Sequence, residues 1–468
     1  MSPVPSLGEL AAKFGGSVSQ GADTVLTGVA IGSNHIEPGS LFIAAQGAKF
    51  HGLDFLDDAI AHGAVAVLTD RESEYPLPSL IHPDPRSIAG LVAGEIYETS
   101  NVALIGVTGT NGKTSTAFYL QRLLIQLGSD SGLITSHQQH AGGEVFDSEL
   151  TTPEAPRLHQ LIHKMSQAGQ KSAVVEVSAQ ALTRNRVQGL RFKVAGFTNL
   201  SRDHLDDYQT MDAYLSAKEQ LFTSVLSDKA VIGCEDDWGR SLYSRIEIPK
   251  VGIGEGLDYE LELRSSGFKV SGQAELHGDL DISGPMAKNL ALATVIALES
   301  GFEPAKVEAA LHQIDLQVPG RLEPLSRGSN VYVDYAHTPA GVQASVQHLL
   351  AKHGELVVVL GASGNRDQGK RSEMARACRG VTKLFVTDQH PRDEDPVLIR
   401  QQLLQGAGEA GVDAIEVEDP AQAISAAVDF AAGRAVLWCG PGALKYREIA
   451  GMKVPFDARK LAQEALGQ

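Results

Sequence analysis

Three cysteines in 468 residues are too few for a disulfide framework. Cys234, Cys378 and Cys439 lie far apart, each on or near an apolar segment, which also argues against a zinc site. Such sparse usage fits a reducing compartment, and a cytoplasmic location is expected. Basic residues are in deficit too: 40 Lys and Arg stand against 57 Asp and Glu, a formal charge of −17. Nucleic acid and anionic membranes both demand a basic surface, so neither is an expected partner. No apolar run approaches the roughly 20 residues that span a bilayer. The opening Met-Ser-Pro-Val-Pro-Ser-Leu lacks the basic and long apolar regions of a secretory signal, so none is expected. Internal repeats and low-complexity tracts are missing as well.

What is present is an ordinary globular composition, 43% hydrophobic and 21% charged. The chain is too long for one core, so several domains are expected. Short apolar strands at Ser40–Ala45 and Ala64–Leu68 flank a helical stretch from Phe55 to His62, which makes residues 1–92 a small α/β unit. From 93 to 316 strands alternate with helices: Val102–Val107, the helix from Lys113, Ser172–Val177, Val194–Leu200. Residues 317–468 repeat the alternation around Val331–Val333, Leu356–Leu360, Lys383–Thr387 and Ala435–Cys439. Alternation of this kind predicts parallel, doubly wound sheets with ligands at the C-terminal strand ends. The expectation is three α/β domains, a P-loop-type sheet in the middle and a Rossmann-like domain at the end.

The chain is organised around Gly109-Thr-Asn-Gly-Lys113 at the end of the Val102–Val107 strand, where Gly109, Thr110, Asn111, Gly112, Lys113, Thr114 and Ser115 lead into a helix. A glycine-rich turn there aims backbone N–H groups and the positive end of the helix dipole at one small volume. Lys113 supplies a cation for β- and γ-phosphates, and Thr114 a hydroxyl for Mg²⁺. The spacing departs from the usual P-loop, because Val107 stands where the first glycine is expected.

A helix read over Met211–Val225 carries an apolar stripe of Met211, Tyr214, Leu215, Phe222 and Val225, and Lys218 falls in that stripe. Two readings are open. The amine snorkels to water, or burial neutralises it and lets it take up CO₂ as a carbamate that offers anionic oxygens to Mg²⁺. His204, in Arg202-Asp-His-Leu-Asp206, follows an apolar strand and lies among acids, and Glu176 ends another strand. Both are candidate metal ligands.

Taken in order, Gly-Thr-Asn-Gly-Lys-Thr, Glu176-Val-Ser178, Phe197-Thr-Asn-Leu-Ser-Arg-Asp-His204 and Tyr214-X-X-Ala-Lys218-X-X-Leu-Phe222 resemble the Mur ligases of peptidoglycan synthesis. The likeness continues through Gly320-Arg321, Asp334-Tyr-Ala-His-Thr-Pro339 and Gly364-Asn-Arg-Asp-Gln-Gly-Lys-Arg371. Thr151-Thr-Pro153 and Asp388-Gln-His-Pro-Arg392 narrow it to the branch that adds the third residue. The resemblance implies an N-terminal domain for uridine diphosphate, a central domain for ATP and a C-terminal domain for the incoming amino acid. The implied reaction phosphorylates the glutamate carboxylate of UDP-MurNAc-L-Ala-D-Glu, and the amine of a diamino acid then attacks the acyl phosphate.

The resemblance also implies roles. Lys113, His204 and Lys218 would be catalytic, with Thr114, Glu176, His204 and carbamylated Lys218 at the metals. Asn199, Asn289, Arg321, Asp334 and His337 would bracket ATP. Ser33 would touch the uridine diphosphate, and Thr151, Thr152, Ser178 and Arg186 the muramoyl dipeptide. Arg371, Asp388, His390, Arg392 and Gly440 would line the amino-acid pocket. A monomer with domain closure is implied.

Four stretches depart from the family pattern. Gly32-Ser33-Asn34 replaces Asp-Ser-Arg, Gly284-Pro-Met-Ala-Lys-Asn289 keeps one of two adenine-side asparagines, His390 replaces an asparagine, and Gly440-Pro-Gly-Ala-Leu444 lacks the acid of Gly-Lys-Gly-His-Glu. The added residue therefore stays open between meso-diaminopimelate and L-lysine or L-ornithine. A folylpolyglutamate synthase would share the ATP loop without needing the leading domain or Thr-Thr-Pro. A catalytically silent scaffold should have lost Lys113, His204 or Lys218, and all three stand. A GTPase switch would want Asn-Lys-X-Asp, which has no suitable counterpart.

Overall fold

The computed structural model describes residues 4–467 apart from Ala48, Ser73 and Arg327; the first three residues of the opening stretch lie outside the described residues. Strands that read as apolar runs are buried on both faces, as a parallel sheet between helices requires. In Ala103–Thr108, Ile105 and Val107 enter one hydrophobic cluster and Leu104 the opposite one. That is the two-residue period of a strand serving two cores.

Among the described residues there are three large sheets and one separate hairpin. The first sheet orders Ser17–Val18, Ser79–Ile81, Ala64–Thr69, Ser40–Ala44 and Gly28–Ala30, parallel except for its first strand. The second has eleven strands. Its parallel heart runs Lys250–Ile253, Ala230–Gly233, Phe192–Phe197, Ala103–Thr108, Ser172–Glu176, Ser131–Ile134, with antiparallel hairpins towards both edges. Helices Lys113–Gln126 and Gly284–Glu299 cover one face through Phe118, Leu120, Leu290 and Ile296. The third orders Glu323–Pro324, Val331–Asp334, Ala435–Cys439, Leu356–Leu360, Lys383–Val386 and Ala414–Glu416, parallel after its first strand.

Two expectations change. Position 93 falls inside helix Pro85–Ile96, where Val92 and Ala93 pack into the core of the first sheet. Tyr97 belongs to the same core and Val102 to the next. We propose that the first domain ends after Tyr97. The connection near 317 is a strap along the central domain, held where Arg122 donates to the carbonyls of Asp315 and Gln317, both at 2.7 Å. The Met211 helix stops at Glu219, short of Val225. A 3₁₀ turn Gln220–Phe222 follows and the chain turns extended at Thr223, leaving Val225 exposed. Tyr214, Leu215, Lys218 and Phe222 remain buried. No helix of the described residues is long and apolar enough to cross a membrane.

Candidate active site

The turn after Ala103–Thr108 needs its glycines. Gly109 and Gly112 have φ of 142° and 83°, and a Cβ at either would run into Thr198 Oγ1 or Asn289 Oδ1 respectively. The loop between them is held through Asn111. Its N–H donates to Asn199 Oδ1 at 3.1 Å, and its carbonyl accepts from Thr198 Oγ1 at 2.7 Å and Asn199 Nδ2 at 3.1 Å. Thr338, from the C-terminal domain, donates to Asn111 Oδ1 at 2.9 Å. Asn199 thus shapes the loop as well as lining the cavity beside it.

At the start of the Lys113 helix four segments meet. Thr114 Oγ1 donates to Glu176 Oε2 at 2.9 Å, and Ser136 N–H donates to the same oxygen at 3.0 Å. Arg321 Nη2 reaches Thr114 Oγ1 at 2.8 Å across the domain boundary and stacks over the Tyr335 ring. Lys113 Nζ lies 3.9 Å from Glu176 Oε1 and donates to the Thr110 carbonyl at 2.8 Å. Burial lowers its pKa, with Glu176 and Asp203 acting against the shift.

A second cluster surrounds Asp203. Its carboxylate is 2.8 Å from Lys370 Nζ, 3.5 Å from His204 Nε2 and 3.7 Å from His337 Nε2. Burial pushes that carboxyl up, but Lys370, His204 and His337 outweigh it and hold the acid well below the usual carboxylate range. Burial, aided by Lys370, takes His337 down to about 3, so the ring is neutral at physiological pH. His204, at φ 55°, is lowered by burial, and its Nδ1 is buried without a hydrogen-bond partner.

Lys218 sits behind this wall. Its Nζ donates to the Gly109 carbonyl at 2.7 Å and lies over the Tyr214 ring at 4.4 Å. Burial takes the amine well below its ordinary value, and Lys113 adds to the shift against Asp203 and Glu176. This favours the neutral amine over the snorkelling cation.

One cavity of about 1690 Å³ joins these groups, between the central and C-terminal domains. Thr110, Asn111, Gly112, Lys113, Thr114, Ser115, Thr151, Glu176, Ser178, Arg186, Asn199, His204, Asn289, Arg321, Asp334, His337, His390, Arg392 and Gly440 all reach its wall. Six expected residues do not. Gly109 and Lys218 lie behind it. Thr152 is fully buried, donating to the Glu176 carbonyl at 2.8 Å and accepting from Ser178 N–H at 3.1 Å. Arg371 is buried in a two-pronged pair with Glu394, at 2.6 and 2.7 Å, and Asp388 is paired with Arg400 at 2.5 Å. Where substrate contacts were expected, these three have their side chains bonded to acids and backbone groups of the fold. Ser33, in the turn Ser33–His35 of the first domain, is also off this wall.

Sequence reasoning passed over Asp203 and Lys370, although both stand inside quoted motifs. It also passed over Ser136, Thr338, Tyr335 and Glu448, whose roles depend on tertiary placement. Among the described residues no three His, Cys, Asp or Glu side chains gather into an all-protein metal cage. A hard cation such as Mg²⁺ does not need one, since it takes one or two protein oxygens and fills its octahedron with water and phosphate. Glu176 and the Thr114 hydroxyl fit that demand, and the unpartnered His204 Nδ1 is a further free donor on the same wall.

Family models match most of the chain: "Mur ligase family, catalytic domain" over residues 25–110, "Mur ligase middle domain" over 107–277, and "Mur ligase, glutamate ligase domain" over 320–442. The chain is 41% identical to a UDP-N-acetylmuramyl-tripeptide synthetase of Leifsonia xyli subsp. xyli, with 98% of this chain and 95% of the relative covered. It is 35% identical to a UDP-N-acetylmuramoyl-L-alanyl-D-glutamate–2,6-diaminopimelate ligase of Aquifex aeolicus, with 94% and 93% covered. A solved structure of a ligase of that second description aligns over 96% of both chains with a TM-score of 0.64 and 26% identity.

Proposed function

The chain belongs to the Mur ligase family and is an ATP-dependent, amide-bond-forming ligase; we propose that it extends UDP-MurNAc-L-Ala-D-Glu by a diamino acid. The observation that carries this reading is the bond from Arg321 to Thr114, which brings the C-terminal domain onto the phosphate loop at the mouth of Glu176.

In this reading the loop amides and Lys113 hold the phosphates of ATP, with Asn289, Arg321, Asp334 and His337 around the nucleotide. Thr114, Glu176 and His204 would hold Mg²⁺, which neutralises phosphate charge during transfer when it is bound. A carboxylate is a poor electrophile, so it first attacks the γ-phosphate, displaces ADP and becomes an acyl phosphate. The amine of the diamino acid attacks that carbonyl, and phosphate leaves from the tetrahedral intermediate. Lys218, as a carbamate, would place anionic oxygens beside the phosphate loop. Lys113, Lys370 and Arg321 offset the charge that develops, and the rest is positioning. Thr151, Ser178 and Arg186 would meet the muramoyl dipeptide, and His390, Arg392 and Gly440 the incoming amino acid. A cytoplasmic monomer is the setting that this reading assumes.

The test is phosphate release from ATP with UDP-MurNAc-L-Ala-D-Glu, against meso-diaminopimelate, L-lysine and L-ornithine in parallel. Release that requires both the nucleotide sugar and one of these amino acids is expected. Release that ignores the nucleotide sugar, or none with any amino acid, overturns the reading.

A further inference from the structure

The C-terminal part of the cavity is closed by the hairpin Tyr446–Ile449 and Met452–Pro455, which joins none of the large sheets. It is docked on the segment that carries His390 and Arg392. Arg392 N–H donates to the Glu448 carbonyl at 3.0 Å, and Ala450 N–H donates to the Arg392 carbonyl at 2.8 Å. Glu448 N–H donates to His390 Nδ1 at 3.0 Å, which leaves the ring proton on Nε2. Arg392 is thereby held at φ 56°, a left-handed conformation that a residue with a Cβ takes up only when its surroundings impose it.

These contacts set the charges on the wall. Burial, with Arg392 and Arg447 nearby, takes His390 down to about 4, so it is neutral at physiological pH. Asp388 is held by Arg400 away from the wall. Among the described wall residues between 362 and 448, Glu448 is the one carboxylate, on a stretch that also carries the cations Arg366, Lys370 and Arg392. Its Oε2 lies 3.1 Å from Arg392 Nε, and its side chain is 38% exposed. Lys453, its neighbour across the hairpin, lies over the Tyr446 ring instead. Leu444, on the same wall, offers no charge.

An incoming amino acid brings a carboxylate, for which Arg392 is at hand. A diamino acid also brings a second ammonium, which must find an anion or stay in water. We propose that Glu448 is the specificity-determining acid that takes the far ammonium of the diamino acid. This rests on the ligase reading above. The shared chemistry is the ammonium, whether meso-diaminopimelate, L-lysine or L-ornithine carries it.

The experiment compares kcat/KM for those three amino acids with that for L-norleucine, which is L-lysine without its side-chain ammonium, in wild type, Glu448→Gln and Glu448→Asp. In Glu448→Gln the preference for the diamino acid over L-norleucine falls about 10- to 100-fold, chiefly through the KM of the amino acid. The KM of ATP stays unchanged, and Glu448→Asp recovers part of the preference. A Gln variant that keeps the wild-type preference, or loses activity equally with all amino acids, overturns the assignment alone. A wild type without turnover on any amino acid overturns the ligase reading and this assignment with it.

Discussion

Lys218 Nζ has the Gly109 carbonyl and the face of Tyr214 for company, and among the described residues it forms no ion pair. An ammonium left there would be desolvated with no paired carboxylate to offset the cost, which favours the neutral form. Lys113 deepens the effect, since two buried cations near one loop repel. A neutral primary amine next to a phosphate site is the species that reacts with CO₂. In the proposed reaction Lys218→Ala therefore abolishes turnover, and formate or acetate restores part of it by replacing the carbamate oxygens. The check is phosphate release with and without the added anion. Wild-type turnover in the alanine variant without any anion contradicts the carbamate.

Among the elements, the phosphate loop carries the most constraint. Gly112 caps the Lys113–Gln126 helix at φ 83°, with Asn289 directly against it. Gly112→Ala pays for both a left-handed backbone and a displaced asparagine. ATP binding is expected to weaken about 10- to 100-fold, read by nucleotide titration, while the thermal unfolding curve keeps its cooperativity. Unchanged ATP affinity contradicts the assigned geometry. Elements of this kind were legible in the sequence because strands buried on both faces read as plain apolar runs, and the turns at their ends demand particular residue types. The duties of Arg371 and Arg392 were not legible. Both are arginines in neighbouring motifs, yet Arg371 meets Glu394 in the interior while Arg392 is lifted onto the cavity wall by a hairpin far along the chain. The hairpin is weakly marked in the sequence, since its second strand is exposed throughout and the alternation of Met452, Lys453 and Val454 announces no buried face. The end of the Met211 helix was misjudged for a related reason: an apolar residue in register, Val225, does not extend a helix when the backbone has already turned extended at Thr223.

Across the whole molecule, the groups that line the cavity come from two domains and are brought together by polar clasps. Asn111 meets Thr338, Thr114 meets Arg321, and Asp203 meets Lys370, while Arg202 pairs with Asp367 at 3.2 Å and Glu373 at 3.0 Å. The first domain is tied in through Glu154, which binds Arg86 at 2.9 Å and Arg186 at 3.0 Å. Such polar boundaries suit domains that close on substrate and exclude water from an acyl phosphate. The central claim is that a carboxylate of the nucleotide sugar is phosphorylated before the amide forms. It is tested most directly by placing heavy oxygen in the glutamate carboxylates of UDP-MurNAc-L-Ala-D-Glu and weighing the phosphate released in a complete reaction. The account predicts one heavy oxygen transferred to each phosphate, and phosphate free of label would contradict it.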